Sequence, residues 1–274
     1  MALAIVALAS SAGSPAPSAR LAAIPRPHHT LVVVMENHGY PQILGRGSTA
    51  PYIHKLAKHG ASFTKSFALT HPSQPNYLAL FSGSTQGISD DSCPHAFSKP
   101  NLGEELSANG LGFAGYSEGL PKQGSMVCDR GGYARKHVPW TNFTNVPVSA
   151  SKTYAQFPNH YTHLPEVSFV IPNLCQDMHD CSVQTGDRWL KKHIRPYVRW
   201  ARAHHSVLIL TWDEDDYGGD NRIATIIAGA GVTAGKYGER IDHYSVLRTI
   251  EDMYGLGHAG HSAAASPIVD IWKH

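Results

Sequence analysis

The chain has 274 residues, of which 42% are hydrophobic and 16% are charged, and its formal net charge is +2 at pH 7. This composition excludes a disordered chain and supplies enough apolar side chains for a sizeable core. The nearly neutral charge argues against general nucleic-acid binding, which needs a clustered basic face. The length is compatible with one α/β domain.

The N-terminal sequence MALAIVALASSAGSPAPSA is similar to the apolar core and cleavage region of a secretory signal, although the basic residues that normally precede such a core are missing. The apolar run is too short to span a membrane. We therefore interpret residues 1–28 as a signal-like or disordered segment and residues 29–274 as a single domain.

The four cysteines permit three disulfide pairings. We favour Cys93 with Cys128 and Cys175 with Cys181, because the second pair would close a tight loop around His179. No cysteine spacing indicates a zinc finger. Disulfides and a signal-like segment together predict an exported protein, either secreted or periplasmic.

The first predicted strand contains the aliphatic run LVVV at residues 31–34, and it ends in the polar residues Glu36, Asn37 and His38. A continuous apolar run of this kind is typical of a strand that is buried on both faces. In open α/β sheets, ligands bind outside the carboxyl ends of such strands. Glu36 and Asn37 could serve one site only if the chain leaves strand geometry there, and Gly39 makes such a turn plausible.

Ser73 lies just ahead of a predicted helix that has Pro75 in its first turn. A helix over residues 51–59, ended by Gly60, and a strand over residues 61–67 precede it. The Ser73 hydroxyl would lie near backbone N–H groups and the positive end of the helix dipole. The alternative interpretation is that Ser73 only caps this helix.

The middle of the chain predicts a helix over residues 102–109, a strand over 111–116, and then a long irregular stretch over 118–165. An irregular stretch of this length inside a compact domain favours a functional cover over a second domain. Order resumes with a strand over residues 167–171, a loop that contains Asp177 and His179, and a helix over residues 185–204.

A second apolar run, VLILTW at residues 207–212, ends in Asp213, Glu214, Asp215 and Asp216. An isolated acidic run would be a solvated turn. Two buried parallel strands that both end in acids, however, would bring carboxylates to one sheet edge, where they repel one another unless a cation neutralises them. Oxygen ligands of this kind suit magnesium, calcium or manganese.

A strand over residues 222–227 and an amphipathic helix over residues 243–254 follow. Alternating strands and helices predict an α/β fold with a central, largely parallel sheet that has helices on both faces. A metal that touched Ser73 would lower the pKa of its hydroxyl and prepare it for attack on a phosphoryl or sulfuryl group. The chain contains neither a P-loop nor a Gly-x-Ser-x-Gly motif.

Five ordered blocks carry a family resemblance: MENHGY, THPSQPNYLALFSGST, PNLCQDMHDCSVQTGDRWL, TWDEDDYGGDN and DHYSVLRTIEDMYGL. Together they resemble the bacterial and fungal phosphoesterase family, which contains acid phosphatases and phosphatidylcholine-type phospholipases C and belongs to the alkaline phosphatase superfamily. The resemblance covers roughly residues 30–255. It implies an alkaline-phosphatase-like sandwich with a phosphate-sized pocket at the sheet edge.

The resemblance also implies roles for individual residues. Ser73 matches the nucleophile that forms a phospho-enzyme, and His179 and His243 match residues that assist the leaving group or bind phosphate. We expect Asp177 to orient His179 and to lie in the substrate-binding group. The implied metal ligands are Glu36, Asn37, Ser73, Asp213 and Glu214, and the substrate-binding residues are Asn76, Asp177 and His71. We expect one divalent ion, with magnesium, calcium, manganese and zinc not distinguished, because Glu214 stands where two-metal members have a histidine.

The sequence thus predicts a metal-dependent phosphomonoesterase of acid-phosphatase type that acts on small phosphate esters through a serine phospho-enzyme. The alternatives are a phospholipase C or other phosphodiesterase and, from another class, a non-catalytic phosphate-binding protein. Membrane lipid is expected as a partner only for the phospholipase. A lipid enzyme would need an apolar rim in residues 118–165, and this stretch is only weakly apolar.

Overall fold

An eight-stranded sheet forms the centre of the computed structural model, which describes residues 24–273. Its strand order is β10-β2-β9-β8-β1-β7-β3-β6, and a two-stranded ribbon, β4-β5, lies apart from it. The strands are β1 (Thr30–Met35), β2 (Ala61–Phe67), β3 (Phe113–Ser117), β4 (Asp129–Arg130), β5 (Tyr133–Ala134), β6 (Ser151–Thr153), β7 (Val167–Ile171), β8 (Val207–Trp212), β9 (Arg222–Gly229) and β10 (Gly235–Asp242).

All pairs in the large sheet are parallel except those of β9, which runs antiparallel to β2 and β8. The predicted, largely parallel sheet is therefore confirmed. The central strand β1 is buried along its whole length, as its aliphatic run predicts. Its register with β8 aligns Met35 with Trp212, so that the two strands end side by side.

Helices cover both faces of the sheet. On one face α3, α4 and α7 enclose a core that includes Phe81, Leu106 and Ile250, and on the other α1, α2, α5 and α6 enclose Ile53 and Tyr197. The helices are α1 (Tyr40–Leu44), α2 (Pro51–Lys58), α3 (Ser73–Ser82), α4 (Leu102–Ala108), α5 (Val183–His193), α6 (Arg195–Ala201) and α7 (His243–Tyr254).

The predicted helix over residues 185–204 is wrong as a single element. It is divided at Ile194 into α5 and α6, and Pro196 lies in the first turn of α6. Proline has no backbone N–H to donate to the preceding turn, and its ring clashes with the carbonyl four residues earlier. Strand β10 was not predicted, because this edge strand has no apolar run and most of its positions alternate between half-buried and exposed.

The long stretch over residues 118–165 contains the ribbon β4-β5, several short 3-10 helices and β6. Strand β6 extends the main sheet beside β3. The buried Trp140 ring packs on β3 at Gly115, where a Cβ atom would lie 2.1 Å from the indole. This stretch therefore builds part of the sheet edge and core.

Both favoured disulfides are present. Cys93 is bonded to Cys128, and Cys175 is bonded to Cys181. Residues 1–23 of the predicted N-terminal segment lie outside the described residues. Within the remainder, Ile24 packs against the core and Arg26 lies over the ring of Tyr254. None of the helices within residues 24–273 has the length and apolar character needed to cross a bilayer.

Candidate active site

Four parallel strands deliver polar side chains to one edge of the sheet. Glu36 follows β1 and Asp213 follows β8, and the Asp213 N–H donates to the Met35 carbonyl at 3.0 Å. Ser73 follows β2, and Asp177 follows β7. The Glu36 N–H donates to the Asp177 carbonyl at 2.9 Å, which ties the ends of β1 and β7 together. The predicted convergence of these strand ends is therefore present in the structure.

Ser73 is the first residue of α3, and its hydroxyl faces two carboxylates. The hydroxyl donates to Glu36 Oε2 at 3.2 Å and lies 3.4 Å from Glu214 Oε1. Pro72, not Ser73, occupies the N-cap position, so the alternative interpretation of Ser73 as a helix cap does not hold. The serine is 1% exposed, at the positive end of a ten-residue helix.

The carboxylate of Glu36 lies between Ser73, Tyr77 and His137. Its Oε1 accepts a short hydrogen bond from the Tyr77 hydroxyl and lies 3.3 Å from His137 Nε2. All of these side chains are buried, and the Tyr77 and His137 rings stack with centroids 5.1 Å apart. The Glu36 carboxylate is thus held by contacts with three side chains.

A second set of contacts holds Glu214. Its Oε2 accepts a hydrogen bond from His71 Nδ1 at 2.9 Å and another from Asn76 Nδ2 at 3.3 Å. The other nitrogen of His71 lies 3.3 Å from Asp215 Oδ1, and the ring stacks on Tyr217 at 3.9 Å. His71 therefore lies beside the predicted metal ligands, where it positions Glu214.

Asn76 organises the loop before Ser73, and its predicted substrate-binding role stays a prediction. Its side chain is completely buried. The amide oxygen accepts from the N–H groups of Leu69 and Thr70, and the amide nitrogen donates to the Thr70 and Pro72 carbonyls and to Glu214. Because protein groups use both ends of the amide, Asn76 organises the loop before Ser73 and the position of Glu214.

The expectation that Asp177 orients the His179 ring is wrong. Asp177 Oδ1 accepts from the His179 backbone N–H at 2.8 Å, whereas the ring Nδ1 of His179 lies 2.7 Å from Asp180 Oδ1. The other Asp177 oxygen is buried without a hydrogen-bond partner, 3.7 Å from His137 Nδ1. Asp177 thus shapes the loop, and Asp180 fixes the imidazole.

His137 is the site residue that the sequence analysis missed. One ligand atom each of Glu36, His137 and His179 lies within 4.8 Å of the others, a group that could hold a metal ion. Nitrogen and oxygen donors in this combination suit zinc and related ions. His137 lies in the irregular stretch, where no periodic pattern identifies it. It directly follows the basic residues Arg135 and Lys136, so the sequence ARKH looks like an ordinary basic run.

His243 is the first residue of α7, and its side chain contacts the backbone of Asp213. Its Nε2 lies 2.7 Å from the Asp213 carbonyl oxygen, and its Nδ1 is buried without a partner. Burial lowers the pKa of His243, so the ring is neutral and Nε2 carries the proton that the carbonyl accepts. The catalytic role of His243 stays a prediction, as does metal binding by the half-buried Asn37.

Burial and mutual repulsion disfavour the negative charge of these acids. Burial raises the pKa values of Glu36, Asp177 and Asp213 well above their ordinary range, with further contributions from neighbouring carboxylates. Burial and the charge of Asp213 raise the pKa of Glu214 to about 8. Both Asp213 carboxylate oxygens are buried without a hydrogen-bond partner.

These observations fit a divalent cation. Glu36, Asp213 and Glu214 bring hard oxygen donors to the surroundings of the Ser73 hydroxyl, and a bound ion would give the unpartnered Asp213 oxygens a partner. A cation would also remove the repulsion that raises the carboxyl pKa values. The charge of Lys136 opposes the rise in the pKa values of Glu36, Asp177 and Glu214, and its Nζ lies 2.8 Å from Asp91 Oδ2.

Comparison with known proteins identifies relatives of the whole domain. The family model described as Phosphoesterase family matches residues 46–257. Phosphatidylinositol-3-phosphatase from Mycobacterium tuberculosis is 49% identical over 253 residues, which make up 91% of this chain and 84% of that protein. A probable acid phosphatase from Kluyveromyces lactis is 30% identical over 263 residues, or 88% of this chain, and the chain spans 61% of its length.

Solved structures share the fold at low sequence identity. A protein of the alkaline phosphatase superfamily from Vibrio parahaemolyticus matches 90% of this chain and 72% of its own, with a TM-score of 0.64 and 12% identity. The lipoteichoic acid synthase LtaP from Listeria monocytogenes matches 94% of this chain and 79% of its own, with a TM-score of 0.60 and 11% identity. At these identities the similarity concerns the fold alone.

Proposed function

We propose that this chain, which belongs to the phosphoesterase family, is a metal-dependent phosphomonoesterase of acid-phosphatase type that acts through a phosphorylated Ser73. Its relatives are named as phosphatases, and it is a hydrolase of phosphoric esters. The observation that carries the proposal is the contact of the buried Ser73 hydroxyl with both Glu36 and Glu214 at the start of α3.

Glu36, Ser73, Asp213 and Glu214 would hold the divalent ion, with Asn37 as a further proposed ligand. When bound, the ion would supply Lewis acidity, which would lower the pKa of the serine hydroxyl and offset the charge of the phosphate. The chain itself fixes the nucleophile. Two carboxylates hold Ser73 Oγ in place, and the N-terminus of α3 favours negative charge at the same point.

The reaction then takes two displacements at phosphorus. In the first, Ser73 Oγ gives up its proton to water and forms a bond with phosphorus, while the ester oxygen leaves with its electron pair and takes a proton from His179. In the second, a water molecule gives a proton to His179 and forms a bond with phosphorus, and Ser73 Oγ leaves with its electron pair and takes up a proton as inorganic phosphate is released. His179 is suited to the proton transfers because its Nδ1 faces Asp180, which leaves Nε2 free to face the leaving oxygen.

The two disulfides support a proposed location outside the reducing cytosol, either secreted or periplasmic. We propose small phosphate monoesters as the substrate class. Because the Mycobacterium tuberculosis relative is named a phosphatidylinositol-3-phosphatase, this class includes the phosphate monoester of a lipid headgroup.

The test is hydrolysis of an aryl phosphate monoester beside its bis-aryl diester, each with and without a chelator. We expect turnover of the monoester, loss of that turnover on chelation, and recovery with an added divalent ion. Preference for the diester would move the proposal to a phosphodiesterase or phospholipase C. Phosphate binding without turnover of either ester would support a non-catalytic binding protein.

A further inference from the structure

A basic cavity of about 330 Å³ lies between α2 and α6, away from the candidate active site. Its lining contains five basic side chains and no acid, and these are Lys55, His59, Arg195, Arg199 and Arg202. The lysine and the histidine lie four residues apart on α2 and its C-cap, and the three arginines follow at helical spacing along α6 and its C-cap. Two neighbouring helix surfaces thus present cations to one space.

The cavity is separate from the catalytic carboxylates. None of the residues proposed for the active site lines it. The Arg202 guanidinium donates to the His59 carbonyl at 3.1 Å, where the C-terminal ends of the two helices lead into the starts of β2 and β8. Ser73 and Asp213 follow the opposite ends of these two strands. A ligand in the cavity would therefore not contact the nucleophile.

No acid pairs with the five basic side chains. Within residues 24–273, none of them forms a salt bridge. The nearby acid Asp187 is buried, and its carboxylate accepts from the backbone N–H groups of Tyr52 and Ile53 at 3.2 and 2.8 Å. Like charges four residues apart on a helix repel each other. An anion bound between the two helices would offset this repulsion.

A buried hydroxyl group also points to a ligand. Tyr52 lines the cavity, and its side chain is only 7% exposed. Its hydroxyl has no hydrogen-bond partner among the described residues, although buried polar groups normally have one. Burial raises the pKa of Tyr52, and the positive charges of Arg195 and Arg202 oppose this rise, so both guanidinium groups act on the hydroxyl. An anion held by these arginines could accept its hydrogen bond.

We propose that the cavity between α2 and α6 binds a small oxyanion with two or more negative charges, and that Tyr52, Arg195 and Arg202 are its donors. The planar guanidinium group presents paired N–H donors that match the oxygens of a phosphate or a carboxylate. The cavity volume is at the small end of the range for ligand sites, which suits a compact anion. The bound anion would join α2 to α6 and stabilise the folded protein. This site goes beyond the proposed phosphatase reaction.

Modification of arginine by phenylglyoxal, read by peptide mass spectrometry, tests the site residue by residue. The full chain is modified at constant ionic strength with sodium chloride, citrate or methylenediphosphonate, a diphosphate analogue that resists hydrolysis. A bound anion should slow the modification of Arg195 and Arg202 about tenfold at about ten times its dissociation constant. Arg188, an exposed arginine of α5, should react at an unchanged rate. Protection by methylenediphosphonate alone would assign a phosphate ligand, and protection by citrate alone a polycarboxylate.

Two variants test the donors. Tyr52→Phe should raise the anion concentration that half-protects Arg195 about tenfold, because the anion loses one hydrogen bond. Tyr133→Phe removes another buried hydroxyl without a partner and is the matched control. Lys55→Gln changes an exposed side chain of α2 and should also weaken protection, which keeps the test valid if Tyr52→Phe folds poorly. Arg188→Gln is the control for this loss of charge.

Unchanged modification of Arg195 and Arg202 in the presence of both anions would overturn the proposal. Equal slowing at Arg188 would also overturn it, since that result is expected of a general ionic effect. The same conclusion would follow if the wild type, Tyr52→Phe and Lys55→Gln were half-protected at equal anion concentrations.

Discussion

Tyr77 donates a hydrogen bond from its hydroxyl to the carboxylate of Glu36, and both side chains are almost completely buried. Tyr77 lies on α3, one turn after Ser73, whereas Glu36 follows β1. Burial raises the pKa of Tyr77, with a further contribution from the charge of Glu36, so this hydroxyl stays protonated and remains a donor. The helix that carries the nucleophile therefore also holds one of its carboxylate partners.

Tyr77→Phe should lower kcat for an aryl phosphate about tenfold, because Glu36 loses the donor that fixes its orientation toward Ser73. The same change should reduce the free energy of unfolding by about 2 kcal/mol, the usual scale for a hydrogen bond to a charged group. Tyr133→Phe is the matched control, since its hydroxyl is buried without a hydrogen-bond partner. Chemical denaturation and steady-state kinetics measure both variants, and unchanged kcat in Tyr77→Phe would contradict the positioning role.

His137→Gln should reduce kcat by about two orders of magnitude, since the imidazole contacts Glu36 and lies in the group formed with His179. Burial lowers the pKa of His137 well below its ordinary range, which favours the neutral ring, the form that can bind a metal. His193→Gln, which removes an imidazole stacked on Trp189 in α5, serves as the control. The role of His137 is disproved if both variants retain full turnover.

The position of Glu36 in the site could be predicted from the sequence, whereas that of His137 could not. Glu36 and Asp213 each follow a buried aliphatic strand, so strand direction alone places them at the same sheet edge. His137 reaches the site through a 3-10 helix within an irregular stretch, where position depends on long-range contacts such as those of Arg135. Local pattern carries no information on such contacts.

The double variant Cys175→Ser/Cys181→Ser should lose activity more than stability. The bridge joins residues six positions apart, and a closed loop this short contributes about 2 kcal/mol. The loop carries His179 and Asp177, whose carbonyl accepts from the Glu36 N–H, so its release should displace the site. Cys93→Ser/Cys128→Ser opens a loop of 35 residues and should lose more stability but less aryl phosphate turnover. The opposite order of activities would contradict this prediction.

Glu105 should make the protein less stable as the pH rises from about 4.3 to about 8. Burial and the nearby charge of Glu251 raise its pKa to about 8, whereas in the unfolded chain it ionises near its ordinary value of about 4.3. The folded state then binds more protons in this window, so the free energy of unfolding falls with increasing pH. Because the side chain is half-exposed, we expect a change of about 1 kcal/mol.

Glu105→Gln should flatten this pH dependence, measured as the free energy of unfolding at pH values on either side of the window. Asp129→Asn changes an exposed acid in β4 and is the control. An equal slope in the wild type and Glu105→Gln would show that this carboxyl does not contribute.

Helices and strands with regular apolar patterns were predicted correctly from the sequence, whereas the separate helix α6 and the strand β10 were not. The apolar stripe of residues 185–204 continues through the break between the two helices at Ile194. Only the position of Pro196 indicates this break. Strand β10 is half-exposed, and its place in the sheet depends on pairing with β2 over residues that are distant in the chain. The local pattern of β10 does not show that β2 is its partner.

The central claim is that Ser73 becomes phosphorylated, and acid quenching of the metal-loaded enzyme during turnover of an aryl phosphate tests it most directly. Peptide mass spectrometry should find a phosphoryl group on Ser73 in the wild type and none in Ser73→Ala, a variant that should fold normally and have no turnover. Phosphorylation of another side chain, or full turnover by Ser73→Ala, would contradict the account.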